Sequence, residues 1–277
     1  MKNLSCLVFL FILLKADAQY FYKDLIAAAE ITQQMKIYND NKIQKVTSTG
    51  YTPGGTAPAD YDETQEPDPA RRQLKITTIV NRTVTRLIYK FDDQGRLQSA
   101  VDSSAGLKSV SAYTYDKAGK LVEISNTMTD SSQDFTQNET HLWIYNNELP
   151  EKMWRIINKT DSLEVRFKTD EHGNITEEQN FKRGKGSDPT YYYYDDKNRL
   201  TDIVRYNTKA KRLLPDFMFE YDDKNRVIQK ISTISKMNLG YLTWRYLFND
   251  KGLKTKEALF NKEKQLLGRI DFAYISN

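Results

Sequence analysis

The sequence predicts an all-β chain: an antiparallel sheet of repeated β-hairpins, curled or spiral, preceded by one N-terminal α-helix. Three observations carry this. A seven-residue signature recurs at Tyr194-Asp195-Asp196-Lys197-Asn198-Arg199-Leu200 and Tyr221-Asp222-Asp223-Lys224-Asn225-Arg226-Val227, with related copies beginning at Phe91, Tyr115 and Thr169. Between copies, apolar and polar residues alternate, as in Phe217, Phe219 and Tyr221 against Met218 and Glu220, which is the period of a half-buried strand. The 18 Tyr and 12 Phe suit the same pleated surface.

Residues 1–18 read as a secretory signal peptide, with Lys2, an apolar run from Leu4 to Leu14 and the small-x-small end Ala16-Asp17-Ala18. That run is shorter than the ~20 apolar residues a membrane-spanning helix needs. The single Cys6 falls inside it, so a chain beginning at Gln19 has no disulfide, thiol nucleophile or cysteine metal site. Export without disulfides fits a bacterial envelope, with the periplasm, the outer-membrane surface or the medium as destinations. The precursor's formal charge is +4, and basic and acidic residues are interleaved without an arginine-rich stripe, so no nucleic-acid partner is expected.

Residues 19–41 form the next expected unit, one amphipathic helix over Tyr22 to Tyr38 with Leu25, Ile26, Ala29 and Met35 near one face. Its expected place is over the open end of the sheet, as a cap. Residues 42–277 form the hairpin array. It opens on a strand over Lys42 to Tyr51 and continues into a mobile, acidic loop at 52–71 that holds four of the seven prolines.

The signature matches a three-residue hairpin loop, a type I turn followed by one left-handed residue and a G1 bulge. Gly95, Gly119 and Gly173 take the left-handed position, with Asn198 and Asn225 as the next best residue there. Asp92, Asp116, Asp170, Asp195 and Asp222 accept from the turn amides. Each of Asp92, Asp116, Asp195 and Asp222 also opposes the Arg or Lys four residues on, while the flanking aromatic and aliphatic residues face the core. With weaker copies at Tyr145 and Phe248, the marks fall at 91, 115, 145, 169, 194, 221 and 248, and each interval accommodates two strands and two turns.

These copies resemble the YD repeats of the RHS family, from about residue 74 to the C-terminus. The resemblance implies successive hairpins winding into a shell or spiral. The chain is far shorter than the family's toxin-enclosing members and shows neither a toxin domain nor the core motif that precedes one. The resemblance points instead to small exported YD-repeat proteins of Bacteroidetes-type bacteria.

Chemistry is sparse in this sequence. His141 reads as an ordinary edge residue and His172 as an exposed turn residue; neither HExxH nor Gly-x-Ser-x-Gly occurs, and no catalytic residue, metal or cofactor is implied. Binding remains, through Trp143, Trp154, Trp244 and the out-facing Tyr191 and Tyr193, whose rings suit a glycan or an envelope protein. The expected function is therefore an exported, non-enzymatic β-repeat scaffold, with a carboxylate-dependent glycan-active enzyme as the alternative. An outer-membrane barrel, which roughly 14 to 17 strands would allow, is disfavoured because Lys230, Lys256 and Glu257 interrupt both faces, and mean hydropathy is -0.69.

Overall fold

A computed structural model describes residues 20–54, 58–132, 134–233 and 240–277. The signal peptide and cleavage site expected at 1–18 lie outside these. Helix α1 spans Lys23–Asp40. The strands that follow are β1 (Ile43–Tyr51), β2 (Pro58–Asp68), β3 (Gln73–Val80), β4 (Thr83–Phe91), β5 (Leu97–Ser104) and β6 (Leu107–Tyr115). Next come β7 (Leu121–Asp130), β8 (Thr136–Asn146), β9 (Leu149–Ile157), β10 (Asp161–Thr169), β11 (Ile175–Lys182), β12 (Lys185–Gly186) and β13 (Thr190–Tyr194). The last are β14 (Leu200–Asn207), β15 (Arg212–Tyr221), β16 (Val227–Ser232), β17 (Leu242–Phe248), β18 (Lys254–Phe260) and β19 (Leu266–Ser276).

Apart from β12 and β13, which both pair with β11, each strand pairs antiparallel with the next, and β1 pairs with both β2 and β19, from Val46↔Gln65 on one side to Val46↔Tyr274 on the other. The sheet therefore closes. Because β12 and β13 pair with the same edge of β11, they act as one interrupted strand, and the ring is an 18-stranded antiparallel barrel. At ~4.8 Å between strands and a tilt near 40°, such a ring is about 35 Å across. This corrects the open, curled hairpin array and the RHS resemblance on which it leaned. Hairpins of this geometry leave two edges, and here those edges meet each other.

The segment expected as a mobile loop at 52–71 is largely strand β2, laddered on both sides by β1 and β3. Its alternation is clear once inside and outside are known: Tyr61, Gln65 and Pro67 are buried, while the acids Asp60 and Asp62 are exposed. Nor does α1 cap an open edge. Its side chains and leading amides reach β2 (Tyr38 with Gln65), β8 (Asp24 with His141), β11 (the Phe21 amide with Glu178), β15 (Tyr20 with Asp216) and β19 (Tyr38 with Tyr274). A helix that touches strands all round one closed ring lies inside it. The buried face is Ala28, Ile31, Met35 and Tyr38; Ala29 is exposed.

In a meander, successive turns alternate between the two rims, so every signature turn lies on one rim. In the five copies with Asp, its carboxylate accepts from the turn: Asp92 Oδ1 takes the Gln94 and Arg96 amides at 2.9 Å, and Asp92 Oδ2 takes Arg96 Nε at 2.7 Å. Asp195 with Arg199 and Asp222 with Arg226 repeat the last contact at 2.7 Å. Gly95, Gly119 and Gly173 adopt φ of 78°, 85° and 83°, and Asn198 and Asn225 adopt 58° and 61°.

Neighbouring signatures also interlock. The Tyr115, Tyr145, Tyr194 and Tyr221 hydroxyls donate to the carbonyls of Leu97, Leu121, Ile175 and Leu200, each in the preceding signature turn, at 2.7–2.9 Å. Arg96 lies 4.5 Å from the Tyr115 ring centroid, and Arg199 lies 4.8 Å from that of Tyr221, adding a cation–π contact to the same step. The motif thus holds hairpin to hairpin as well as shaping each turn.

Strand alternation gives the wall two unlike faces. Leu74, Phe91, Leu97 and Leu121 point inward and are buried with the helix near the signature rim. Trp143, Met153, Val165, Phe167 and Tyr192 form a second inward cluster around Phe21. The outer face mixes charge, including the cross-strand pairs Lys75 with Glu66 and Lys168 with Glu177 and the exposed Arg86, Lys90 and Lys256, with exposed apolar side chains such as Val84, Ile144, Leu247 and Ile275. No helix among the described residues is long and apolar enough to cross a membrane.

Gly119→Val should destabilise the chain by about 1–2 kcal/mol in chemical denaturation, because a β-branched residue resists the left-handed region. At φ +85° the only neighbour of an added Cβ is Arg96 Nη1 at an ordinary 3.5 Å, so an unchanged midpoint would refute a conformational cost there. Tyr221→Phe should cost about 1 kcal/mol by leaving the Leu200 carbonyl without its donor.

Candidate functional site

The helix divides the lumen. It lies toward the signature rim, where α1 leads into β1, and buries the apolar ends of the strands. Its first turn reaches the middle of the opposite wall, and this end is held by charge. The leading amides of a helix have no intrahelical acceptor and carry positive partial charge. Here Glu178 of β11, only 2% exposed, takes the Phe21 amide at 2.9 Å and the Tyr22 amide at 3.0 Å, and the Tyr192 hydroxyl at 2.8 Å. Beside it, His141 Nδ1 meets Asp24 of α1 at 2.6 Å and His141 Nε2 meets Glu139 at 2.8 Å, while Arg155 donates to Glu139 at 2.7 and 2.9 Å. Tyr20 bonds to Asp216, which Arg205 also engages.

Burial pushes Glu178 up to about 7, against the lowering effect of the two amides and the Tyr192 hydroxyl. Burial would lower His141, but its bonds to Asp24 and Glu139 and their charges prevail and raise it to about 9. Glu139 would rise on burial, yet His141 and Arg155 hold it down to about 2. The expected edge histidine is thus an interior cation that joins helix to wall. Sequence reasoning missed it because His141 becomes inward only through the register of a closed ring.

The other end of the helix is tied to β2. The Tyr38 hydroxyl and Gln34 Nε2 both donate to Gln65 Oε1, at 2.7 and 3.0 Å, and Gln65 Nε2 donates to Glu63 Oε1 at 2.8 Å. Glu63 Oε2 also takes Tyr61 and Thr78 at 3.2 and 3.1 Å. From here toward the rim opposite the signatures the wall turns polar. Thr85 donates to Ser104 at 3.0 Å, and Asn126 donates to Ser109 at 2.7 Å and Ser111 at 2.8 Å. Asp102 shares this inward face, aligned with Leu87 and Ser109, and is exposed to solvent. Partial burial against the wall pushes its carboxyl up. The inner wall beyond the helix thus carries hydroxyls and carboxylates, with Trp244 on the same face, while Tyr61 is buried and Tyr89 and Tyr113 pack against the apolar cluster of the helix.

Of the aromatic residues singled out in the sequence, the structure brings two inside. Trp143 is 3% exposed and stacks on Phe167 with centroids 5.0 Å apart, so it is core. Trp244 faces the lumen opposite Lys230. Trp154, Tyr191 and Tyr193 face outward on separate parts of the wall, and Tyr193 is 48% exposed. His172 is an exposed turn residue whose amide donates to Asp170. Glu63, Asp102 and Lys230 carried no local signal beyond alternation. Among the described residues no group of three or more His, Cys, Asp or Glu is placed to hold a metal ion.

The helix anchor has a definite pH sense. His141 is raised, so its contribution is complete below about 6.5 and is lost as pH rises through about 9, on the order of 3 kcal/mol. Glu178 is also raised, so its contribution is complete below about 4.5 and declines as pH rises through about 7. Glu139 acts oppositely, contributing above about 4.5 and failing as pH falls through about 2. The melting temperature should therefore fall between pH 6.5 and 9, and His141→Gln should flatten that fall. Glu178→Ala should cost about 3 kcal/mol, since it strands two amides and a hydroxyl, and should speed hydrogen exchange at the start of α1.

No family model matches the chain, and no curated protein matches it. Among solved structures, a porin-like protein from Bacteroides uniformis aligns with 84% of this chain and 98% of its own at 10% identity and a TM-score of 0.40. A porin-like protein from Bacteroides vulgatus aligns over 85% and 99% at 12% identity and a TM-score of 0.26. The TcdB2-TccC3-Cdc42 structure aligns over 77% of this chain but 11% of its own, at 15% identity and a TM-score of 0.34. Likenesses this weak carry no argument, and the barrel rests on the strand pairing itself.

Proposed function

We propose that this chain is an exported, non-enzymatic barrel of the cell envelope that binds a glycan in the polar half of its lumen. The supporting observation is the division of the inner face: an apolar half packed on the helix, and a polar half that carries hydroxyls and carboxylates, with Trp244 on the same face. Sugars present hydroxyls around apolar ring faces, and a pocket joining aromatic rings to a few fixed polar groups suits both. The charge on the outer wall fits a protein in water at the envelope, and the leader's sequence supports export. The binding surface proposed here replaces the outer-face aromatics expected from the sequence.

A glycan array on the chain from Gln19 onward, followed by calorimetry on its hits, tests this reading. Asp102→Ala and Trp244→Ala should each weaken binding by about tenfold, on the order of one lost hydrogen bond or ring contact. Tyr193→Ala should leave it unchanged. Loss with Tyr193→Ala but not with the luminal variants would move the site outside, and release of shortened product would make the chain an enzyme.

A further inference from the structure

On the rim opposite the signatures, a cleft of about 300 Å³ lies where β9, β10 and β11 meet the turns at 158–160 and 183–184. Its sides follow from register. Glu164 of β10 stands directly opposite Trp154 of β9 on one side and Phe181 of β11 on the other. An indole and a phenyl, two strand spacings or about 10 Å apart, thus flank one carboxylate. Toward the rim the cleft is lined by Thr160, Asp161 and Ser162 and by Lys182, which pairs with Asp161 at 3.0 Å. All four are exposed, so the cleft opens to solvent. The bond from Lys182 holds the Asp161 carboxyl below its usual range and keeps it a charged acceptor.

The two rings differ in what already covers them. Arg166 donates to Glu164 at 2.9 and 3.2 Å and lies 4.2 Å from the Phe181 ring centroid, so an internal cation satisfies the carboxylate and covers the phenyl. A cationic ligand has no vacancy there. Trp154 is half-buried, and among the described residues it makes no ring or cation contact and its indole N–H donates to no group. An open indole beside hydroxyls, a carboxylate and an ammonium suits a sugar, whose apolar ring face stacks while its hydroxyls both donate and accept. We infer that this cleft is a sugar subsite on the rim, with Trp154 as the platform, Asp161 and Ser162 as acceptors and Lys182 as a donor. Its volume is at the lower end for ligand pockets and takes a short stretch of a glycan. The subsite stands apart from the lumen, and it adds Trp154, though neither Tyr191 nor Tyr193, to the luminal surface proposed above.

Calorimetry with the chain from Gln19 onward and hexasaccharides of glucose, mannose and N-acetylglucosamine tests the inference. At least one should bind, Trp154→Ala should weaken it about tenfold, and Trp154→Phe should keep part of the affinity. Ser162→Phe, at an exposed position, fills the cleft while leaving the wall's own contacts in place, and it should weaken binding at least as much. Where rim and lumen both bind, the isotherm should show two sites, one removed by Ser162→Phe and the other weakened by Asp102→Ala. Binding that neither Trp154→Ala nor Ser162→Phe changes would overturn the inference, and its loss with Asp102→Ala would leave the luminal reading standing alone. Failure of all the hexasaccharides to bind would overturn both.

Discussion

An antiparallel sheet has two edge strands, each with a row of unpaired amides and carbonyls, and what happens to them governs everything else in this molecule. Here β1 and β19 pair along most of their length, from Ile43↔Ser276 to Tyr51↔Arg269, and no edge remains. Closure defines an inside. It turns the alternation of every strand into a distinction between lumen and solvent, and it places a helix that would otherwise lie on a sheet into the middle of a ring. Two joins in the circuit are bridged by four residue pairs each, β16 with β17 and β11 with the interrupted β12–β13 strand. Glu178, which anchors the helix, belongs to the second.

The signature residues make such a ring accessible to a short chain. Five of the turns fix their own register through an Asp, a left-handed residue and a bulge, and four copies are tied to the preceding signature turn through the Tyr hydroxyl, several with an Arg or Lys over the next ring. The contacts are local in sequence, so loop-closure entropy is spent in small steps until the final pairing of β1 with β19. The second rim has no such lattice. Its turns vary, and its strand ends carry the polar side chains of the inner wall.

The helix converts this shell into a vessel with a floor. Packing alone would leave its N-terminal amides in a buried setting without acceptors; Glu178 supplies the acceptor, and the chain from Asp24 through His141 and Glu139 to Arg155 balances the charges around it. At the other end, the contacts of Tyr38 and Gln34 with Gln65 lead on to Glu63 on the inner wall. Floor and wall are thus one hydrogen-bonded unit.

The sequence by itself determined what depends on near neighbours in the chain: the strand period, the turn type at Asp92 to Arg96 and its copies, the left-handed positions at Gly95, Gly119, Gly173, Asn198 and Asn225, and the helix before the first strand. It did not disclose β2, because acids and prolines in alternation resemble a loop until two partner strands fill both sides of the ladder. Nor did it disclose the inward face of His141, Glu178, Asp102 or Lys230. Only the tertiary structure decided that the array closes, that the helix lies within it and that these side chains share one lumen. Each of those facts depends on β1 meeting β19, two segments more than two hundred residues apart, whose pairing no local pattern encodes.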